Sequence, residues 1–149
     1  SVAVSGHKFI GSPIPSGIVL ARKENVDRIA RSVAYIGSMD TTITGSRNGL
    51  TPLMLWHTIR TMGLAGIRRR VRASIDMAAY VEQELKAVGV AAWRNPNAIT
   101  VLFPKPSAEI RLKWQLASSG ELAHIIAMPG TEKDVLDNFI SDIAAEQGG

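Results

Sequence analysis

A histidine and a lysine near the start of the chain are the residue pair best suited to do chemistry. His7 and Lys8 follow a β-branched run at residues 2–4, and a Gly-Ser-Pro turn comes shortly after them. The run predicts the end of a strand, with the pair on the loop that follows. We expect His7 and the apolar Phe9-Ile10 pair to strip hydration from the Lys8 ammonium, which disfavours the charge and makes the amine a nucleophile for carbonyl groups. An ordinary surface lysine at a strand end is the plain alternative.

Further motifs accompany this pair in one order over nearly the whole chain. They are Ser5-x-His7-Lys8, residues 11–17 (GSPIPSG), 35–37 (YIG), 40–49 (DTTITGSRNG), 52–56 (PLMLW), 92–95 (AWRN), 114–117 (WQLA) and 123–129 (AHIIAMP). Together they resemble the group II amino-acid decarboxylases that depend on pyridoxal 5'-phosphate (PLP). Within that group the motifs are most similar to the bacterial histidine decarboxylases, and the plant serine decarboxylases are also similar.

The resemblance implies a fold and a reaction. The fold is the α/β, PLP-dependent transferase fold type I, here the end of the large domain followed by the small C-terminal α/β domain. The reaction is decarboxylation of an L-amino acid by a PLP-dependent carboxy-lyase, with the cofactor held as a Schiff base on Lys8. Histidine, giving histamine and carbon dioxide, is the first candidate substrate. Serine, giving ethanolamine, is the alternative, because these residues do not separate the two.

The resemblance also implies roles for residues around the lysine. His7 and Ser5 are candidates for the cofactor phosphate, which an imidazole and a hydroxyl suit. The alternatives are a backbone contact for His7 and a turn cap for Ser5. Tyr35 is a candidate general acid that returns a proton to the substrate carbon, or else an aromatic anchor under its loop. Ser46 and Arg47 are candidate ligands of phosphate or carboxylate. An arginine that orders its own loop is an equally reasonable alternative.

Composition limits the other classes of function. The 149 residues are 46% hydrophobic and include no cysteine, which predicts a folded protein without disulfides or thiolate metal sites and fits a cytoplasmic location. No apolar run is long enough to span a bilayer. The three histidines at 7, 57 and 124 have no carboxylate in motif spacing, so we predict no metal.

A basic cluster, Arg68-Arg69-Arg70-Val71-Arg72, contributes much of the net charge of +4. Binding of nucleic acid is one interpretation. A solvated helix face is favoured instead, because no aromatic residue interleaves with the arginines and apolar residues recur beneath them at helical spacing.

The order of the elements predicts three parts. Residues 1–50 form the end of the large cofactor-binding domain, with the lysine loop, a buried strand at 17–21, a helix at 24–32 and a mobile loop from Tyr35 to Gly49. Residues 51–89 form a helical bridge, begun by Thr51-Pro52 and interrupted near Gly63 and Gly66.

Residues 90–149 form the small domain, with strands at 90–93, 98–103 and 121–127, a helix at 108–117 and a last helix capped by Thr131-x-x-Asp134. Since family members carry a long segment before the lysine, we expect the chain to be a C-terminal fragment, with the N-terminal part of the same enzyme and a homodimer mate as partners. A catalytically incomplete module that only folds and self-associates is the non-enzymatic alternative.

Overall fold

The computed structural model describes residues 1–35, 37–41 and 48–148. Within it the chain forms two compact units, Ser1–Gly63 and Leu64–Gly149, which we call the first and the second unit. The three-part division at residues 50 and 89 stays a prediction. None of the described helices is long and apolar enough to cross a membrane.

Two small antiparallel ribbons and two helical pieces make up the first unit. Strand β1 (Val2–Ser5) pairs with β2 (Gly17–Leu20), helix α1 spans Lys23–Ile29, and β3 (Arg31–Val33) pairs with β4 (Ser38–Asp40). The first part of helix α2 (Leu50–Ala87) completes the unit. The predicted strand and helix are present, but β4 lies inside the segment that we expected to be a loop throughout.

Helix α2 begins differently from the prediction. The carboxamide of Asn48 accepts hydrogen bonds from the Thr51 backbone N–H and from its hydroxyl, each at 2.8 Å. Asn48 therefore caps the helix, and the Thr51 hydroxyl is a donor rather than the cap. The predicted interruption occurs at Gly63, where φ is 58° and ψ is −178°. Gly66 lies within the helix and interrupts nothing.

The first unit has no apolar core of its own among the described residues. Its buried residues are Gly6, Ser12 and Thr51. Strand β2, predicted to be buried because Ile18-Val19-Leu20 is apolar, leaves Val19 71% and Leu20 63% exposed. The reason is that β2 has one ribbon partner and no layer that covers its faces.

The second unit holds the hydrophobic core. A three-stranded antiparallel sheet has the order β5 (Thr100–Pro104), β7 (Leu122–Ile126), β6 (Ala117–Ser119), and helices α3 (Ala108–Trp114) and α4 (Lys133–Gln147) belong to the same unit. The largest fully buried side chains are Val81, Leu85, Val101, Phe103, Phe139 and Ile143. The Phe139 ring lies 5.8 Å from that of Phe103 and meets that of Trp114 edge-on at 5.6 Å.

Several boundaries in the second unit differ from the prediction. Residues 90–93 are not a strand: only Trp93 forms a bridge, with Leu102. Helix α3 ends three residues early because Gln115 adopts φ 51°, and residues 117–119 form β6 instead.

The cap of the last helix also differs from the prediction. The capping position of α4 is Glu132, and no side chain caps it, so the predicted capping box is wrong. Leu136 is buried on α4, whereas its neighbour Val135 is 47% exposed.

Ion pairs and hydrogen bonds at the surface of this unit connect α2 with the segment that precedes β5. Arg94 donates through Nε to Glu82 at 2.9 Å and through Nη1 to the Ala98 carbonyl at 3.1 Å. Lys86 donates to the same carboxylate at 2.6 Å. These two cations, first the Lys86 ammonium, hold the pKa of Glu82 below its ordinary value despite partial burial.

Candidate active site around Lys8

Lys8 lies on a single turn of π-helix, Gly6–Ile10, that directly follows β1. We call this segment the lysine turn. Gly11 ends it in the left-handed region at φ 87° and donates its N–H to the Gly6 carbonyl. Ser12 donates to the same carbonyl at 2.9 Å. The predicted loop is therefore an ordered helical turn, closed by two donors on one carbonyl oxygen.

Glycine is required at position 6 by close packing. A Cβ built on Gly6 would lie 2.5 Å from Ser16 Oγ and 2.9 Å from Leu55 Cδ2. Ser16 precedes β2 and Leu55 belongs to α2, so both neighbours come from the same unit as the lysine turn. The Ser16 hydroxyl is buried and has no hydrogen-bond partner among the described residues. These contacts fix the start of the lysine turn against the rest of the unit.

The imidazole of His7 is held by the backbone of Ser16. Its Nδ1 lies 3.1 Å from the Ser16 nitrogen and 3.1 Å from the Ser16 oxygen. The same oxygen accepts the Gly6 N–H at 2.9 Å. Of the two interpretations drawn from the sequence, the backbone contact is present, and it leaves Nε2 available for another partner.

The amine of Lys8 has no ionic partner in the described part of the chain. The chain has six lysines, and the other five each form an ion pair: Lys23 with Asp27, Lys86 with Glu82, Lys105 with Glu121, Lys113 with Asp142 and Lys133 with Asp137. Lys8 is exposed. The expected loss of hydration around its ammonium stays a prediction.

The remaining predicted site residues are not gathered around Lys8. Ser5 ends β1 and its side chain does not cap the lysine turn, which removes the capping alternative. Tyr35 lies between β3 and β4 with 97% of its surface exposed, so it is not an anchor packed under the loop. Ser46 and Arg47 lie outside the described residues. Their roles toward a cofactor stay predictions.

The donor set fits an aldehyde cofactor that carries an anionic group. A primary amine without an ionic partner is adjacent to an imidazole whose second nitrogen is uncommitted, on a turn fixed by a glycine that admits no side chain. Sequence reasoning missed Gly6, Ser16 and Leu55, since only the folded turn brings them together. No group of three or more histidine and carboxylate side chains suited to a metal ion occurs among the described residues.

Comparison with known proteins finds relatives that share one name. No protein-family model matches the chain. The histidine decarboxylase of Pseudomonas entomophila is 51% identical over 147 residues, which are 98% of this chain and 36% of that protein. Those of Morganella morganii and Mesorhizobium japonicum are 50% and 46% identical, over 98% and 97% of this chain and 39% of each relative. The chain thus spans well under half the length of the curated relatives that it matches, and it matches their C-terminal part.

Solved structures agree on the fold. L-methionine decarboxylase from Streptomyces sp. 590 superposes with a TM-score of 0.82 at 34% identity, over 97% of this chain and 31% of that one. A sphingosine-1-phosphate lyase from Burkholderia pseudomallei gives 0.80 at 17% identity, over 98% and 37%, and supports the fold alone. The resemblance to group II PLP-dependent decarboxylases and the predicted α/β fold type I are confirmed.

Proposed function

We propose that this chain is the C-terminal part of a PLP-dependent histidine decarboxylase, in which Lys8 binds the cofactor. The reaction converts L-histidine and a proton to histamine and carbon dioxide. Support comes from relatives that carry this name at 46–51% identity over nearly the whole chain. The observation that carries the assignment is that Lys8, in the lysine turn, is the lysine without an ion pair among the described residues.

An ion pair matters because a neighbouring carboxylate favours the charged, non-nucleophilic ammonium. Five lysines of this chain are held in that form by Asp or Glu, at 2.6–3.3 Å. Lys8 has no such contact among the described residues. It is therefore the lysine that can attack an aldehyde without first breaking an ion pair in this part of the chain.

PLP, when bound, accepts the electron pair that the departing carboxylate leaves on the substrate carbon. The chain's own residues position the cofactor and return a proton to the substrate. The lysine turn presents the Lys8 amine, and His7 offers its second ring nitrogen to an anionic group. Tyr35 is our candidate to return a proton to the substrate carbon, and Ser5, Ser46 and Arg47 are our candidate ligands of phosphate or carboxylate.

Reductive trapping tests the lysine assignment. The chain is incubated with PLP, reduced with borohydride, and digested for peptide mass mapping. We expect the adduct at Lys8, no adduct at that peptide in Lys8→Arg, and normal labelling of Lys8 in the control Lys23→Arg. Equal labelling of all six lysines would contradict a selective amine in this chain.

Activity needs the rest of the enzyme. We would join the chain to the preceding segment of the Pseudomonas entomophila relative and measure amine release. Histamine from L-histidine, abolished by Lys8→Ala, is the expected result. Ethanolamine from L-serine would favour the alternative substrate. Folded fusion protein that releases neither amine would support the catalytically incomplete module.

The assembly and the location are proposals of the same kind. We expect a homodimer that includes the N-terminal part of the same enzyme, with an amino acid as its small-molecule substrate and neither nucleic acid nor a membrane as partner. Sedimentation of the fusion protein tests the dimer. A cytoplasmic location is favoured by the lack of cysteine, since disulfides are a feature of oxidising compartments.

A further inference from the structure

The backbone around the lysine turn contains an amide that the β-ribbon does not satisfy. The last pair of the ribbon is Ser5 with Gly17, and continuation of its register would place Gly6 opposite Ser16. In an antiparallel ladder a close pair exchanges two hydrogen bonds. Here the Gly6 N–H donates to the Ser16 oxygen at 2.9 Å. The Gly6 oxygen instead accepts from Gly11 and Ser12, so the Ser16 N–H loses its ladder partner.

We infer that the His7 imidazole replaces this missing ladder acceptor and is thereby fixed as the neutral tautomer with its proton on Nε2. The inference rests on the proposed function only for what Nε2 then binds. Nδ1 lies 3.1 Å from the Ser16 nitrogen, within reach of its N–H. A neutral ring has one acceptor nitrogen and one donor nitrogen, so if Nδ1 accepts the Ser16 N–H, the proton lies on Nε2.

The competing tautomer satisfies fewer groups. With a proton on Nδ1, the ring would donate to the Ser16 oxygen, also 3.1 Å away. That oxygen already accepts the Gly6 N–H, while the Ser16 N–H would face a second donor and have no acceptor. With the proton on Nε2, the Gly6 and Ser16 amides each have one partner. The ring orientation is then set by a backbone atom nine residues away.

The consequence concerns the neighbour of Lys8. The Nε2–H of His7 makes no hydrogen bond to any described residue, and the side chain is exposed. It is a donor at fixed orientation one residue before the reactive amine. Its ligand is an anionic oxygen, and under the proposed function this is the phosphate of the cofactor, so that binding orders no additional side chain.

Two substitutions test the roles of the two ring nitrogens of His7 independently. His7→Asn keeps an acceptor near the position of Nδ1 and removes the distal donor. His7→Gln keeps a donor near the position of Nε2 and removes the proximal acceptor. We expect amide hydrogen exchange at Ser16 to stay near wild type in His7→Asn and to accelerate about tenfold in His7→Gln, the loss of roughly one net hydrogen bond. Unchanged protection in His7→Gln overturns the inference.

The tautomer is measured directly. In the ¹⁵N-labelled chain, the ring signals of His7 are identified by their loss in His7→Gln, and we expect protonated Nε2 with unprotonated Nδ1. A proton on Nδ1 at neutral pH overturns the inference. Neither of these measurements depends on the cofactor.

The ligand of Nε2 is tested by trapping at Lys8 with PLP and with pyridoxal, which lacks the phosphate. Wild type and His7→Gln should favour PLP, and His7→Asn should lose that preference. An undiminished preference in His7→Asn overturns the donor role. If the fusion protein forms no Lys8 adduct in any variant, the proposed function and the donor role are overturned together, while the tautomer and exchange results still decide the ladder replacement.

Discussion

Replacement of Gly6 by alanine tests whether the packing under the lysine turn fixes the reactive amine. The added Cβ would lie 2.5 Å from Ser16 Oγ and 2.9 Å from Leu55 Cδ2, and a carbon needs about 3.5 Å or more from either atom. The end of the Leu55 side chain can rotate away. The Ser16 hydroxyl is buried and belongs to a residue whose backbone holds Gly6 and His7, so the turn itself has to move.

The expected cost is that of overpacking a close-packed site, about 1–3 kcal/mol. This cost falls on the local order of the lysine turn rather than on the core, because the buried apolar side chains of the described residues lie in the second unit. We therefore expect the Gly6 and Ser12 amides to exchange roughly 5- to 150-fold faster in Gly6→Ala, since 1.4 kcal/mol corresponds to a factor of ten. Trapping of PLP at Lys8 should fall with it.

A second substitution, Ser16→Ala, tests whether contact with the Ser16 hydroxyl causes the effect. Ser16 Cβ is not among the three atoms nearest to the added carbon, the third of which lies at 3.4 Å, so Ser16→Ala removes the worst contact. It also removes a buried hydroxyl without a partner among the described residues, which should leave the single variant as stable as wild type or more so. The double variant Gly6→Ala/Ser16→Ala should recover most of the protection. Exchange as fast in the double variant as in Gly6→Ala would refute the packing argument.

Two further predictions concern the second unit. Because the pKa of Glu82 is depressed in the folded chain, its ion pairs contribute their full stability at pH values above its ordinary pKa of 4.5. This contribution is lost as the pH falls through the lower pKa of the folded state. Thermal melts should therefore show a smaller acid-induced drop in Tm for Glu82→Gln than for wild type, and an identical drop would contradict the assignment. Phe139 is 1% exposed and lies between two aromatic rings. Phe139→Ala should therefore lower the free energy of unfolding, measured in urea, by about 3–5 kcal/mol, and the control Phe139→Leu should lower it less. A loss below about 1 kcal/mol in Phe139→Ala would contradict its place in the core.

The sequence predicted the elements whose signals are local and failed where a distant partner decides. The long helix with its break at Gly63 and the strand at 122–126 follow from periodicity and from breakers in the chain itself. Residues 90–93 contain the apolar run of a strand, but only Trp93 reaches the sheet. Strand β2 has the composition of a buried strand and is exposed, because burial depends on a covering layer that composition does not specify.

The candidate site shows the same limit. Lys8 could be proposed because the motif around it is contiguous and resembles a family whose chemistry requires a lysine. The roles of Gly6 and Ser16 could not be identified, since they depend on a π-helical turn that shifts one carbonyl out of the ladder. A pattern of residue types does not encode that shift, because a single π-helical turn, Gly6–Ile10, is too short to establish a side-chain period of its own.

The uneven distribution of buried side chains has a consequence for the life of the chain in a cell. The second unit encloses a core of large apolar side chains, such as Phe103 and Phe139, although it also exposes some at its surface. The first unit, which holds the lysine, presents Val19, Leu20, Met39, Leu53 and Trp56 to solvent, a surface of the kind that chaperones retain and proteases degrade. We therefore expect the time for which Lys8 stays in a folded unit to depend on the protection of that surface more than on the strength of the core.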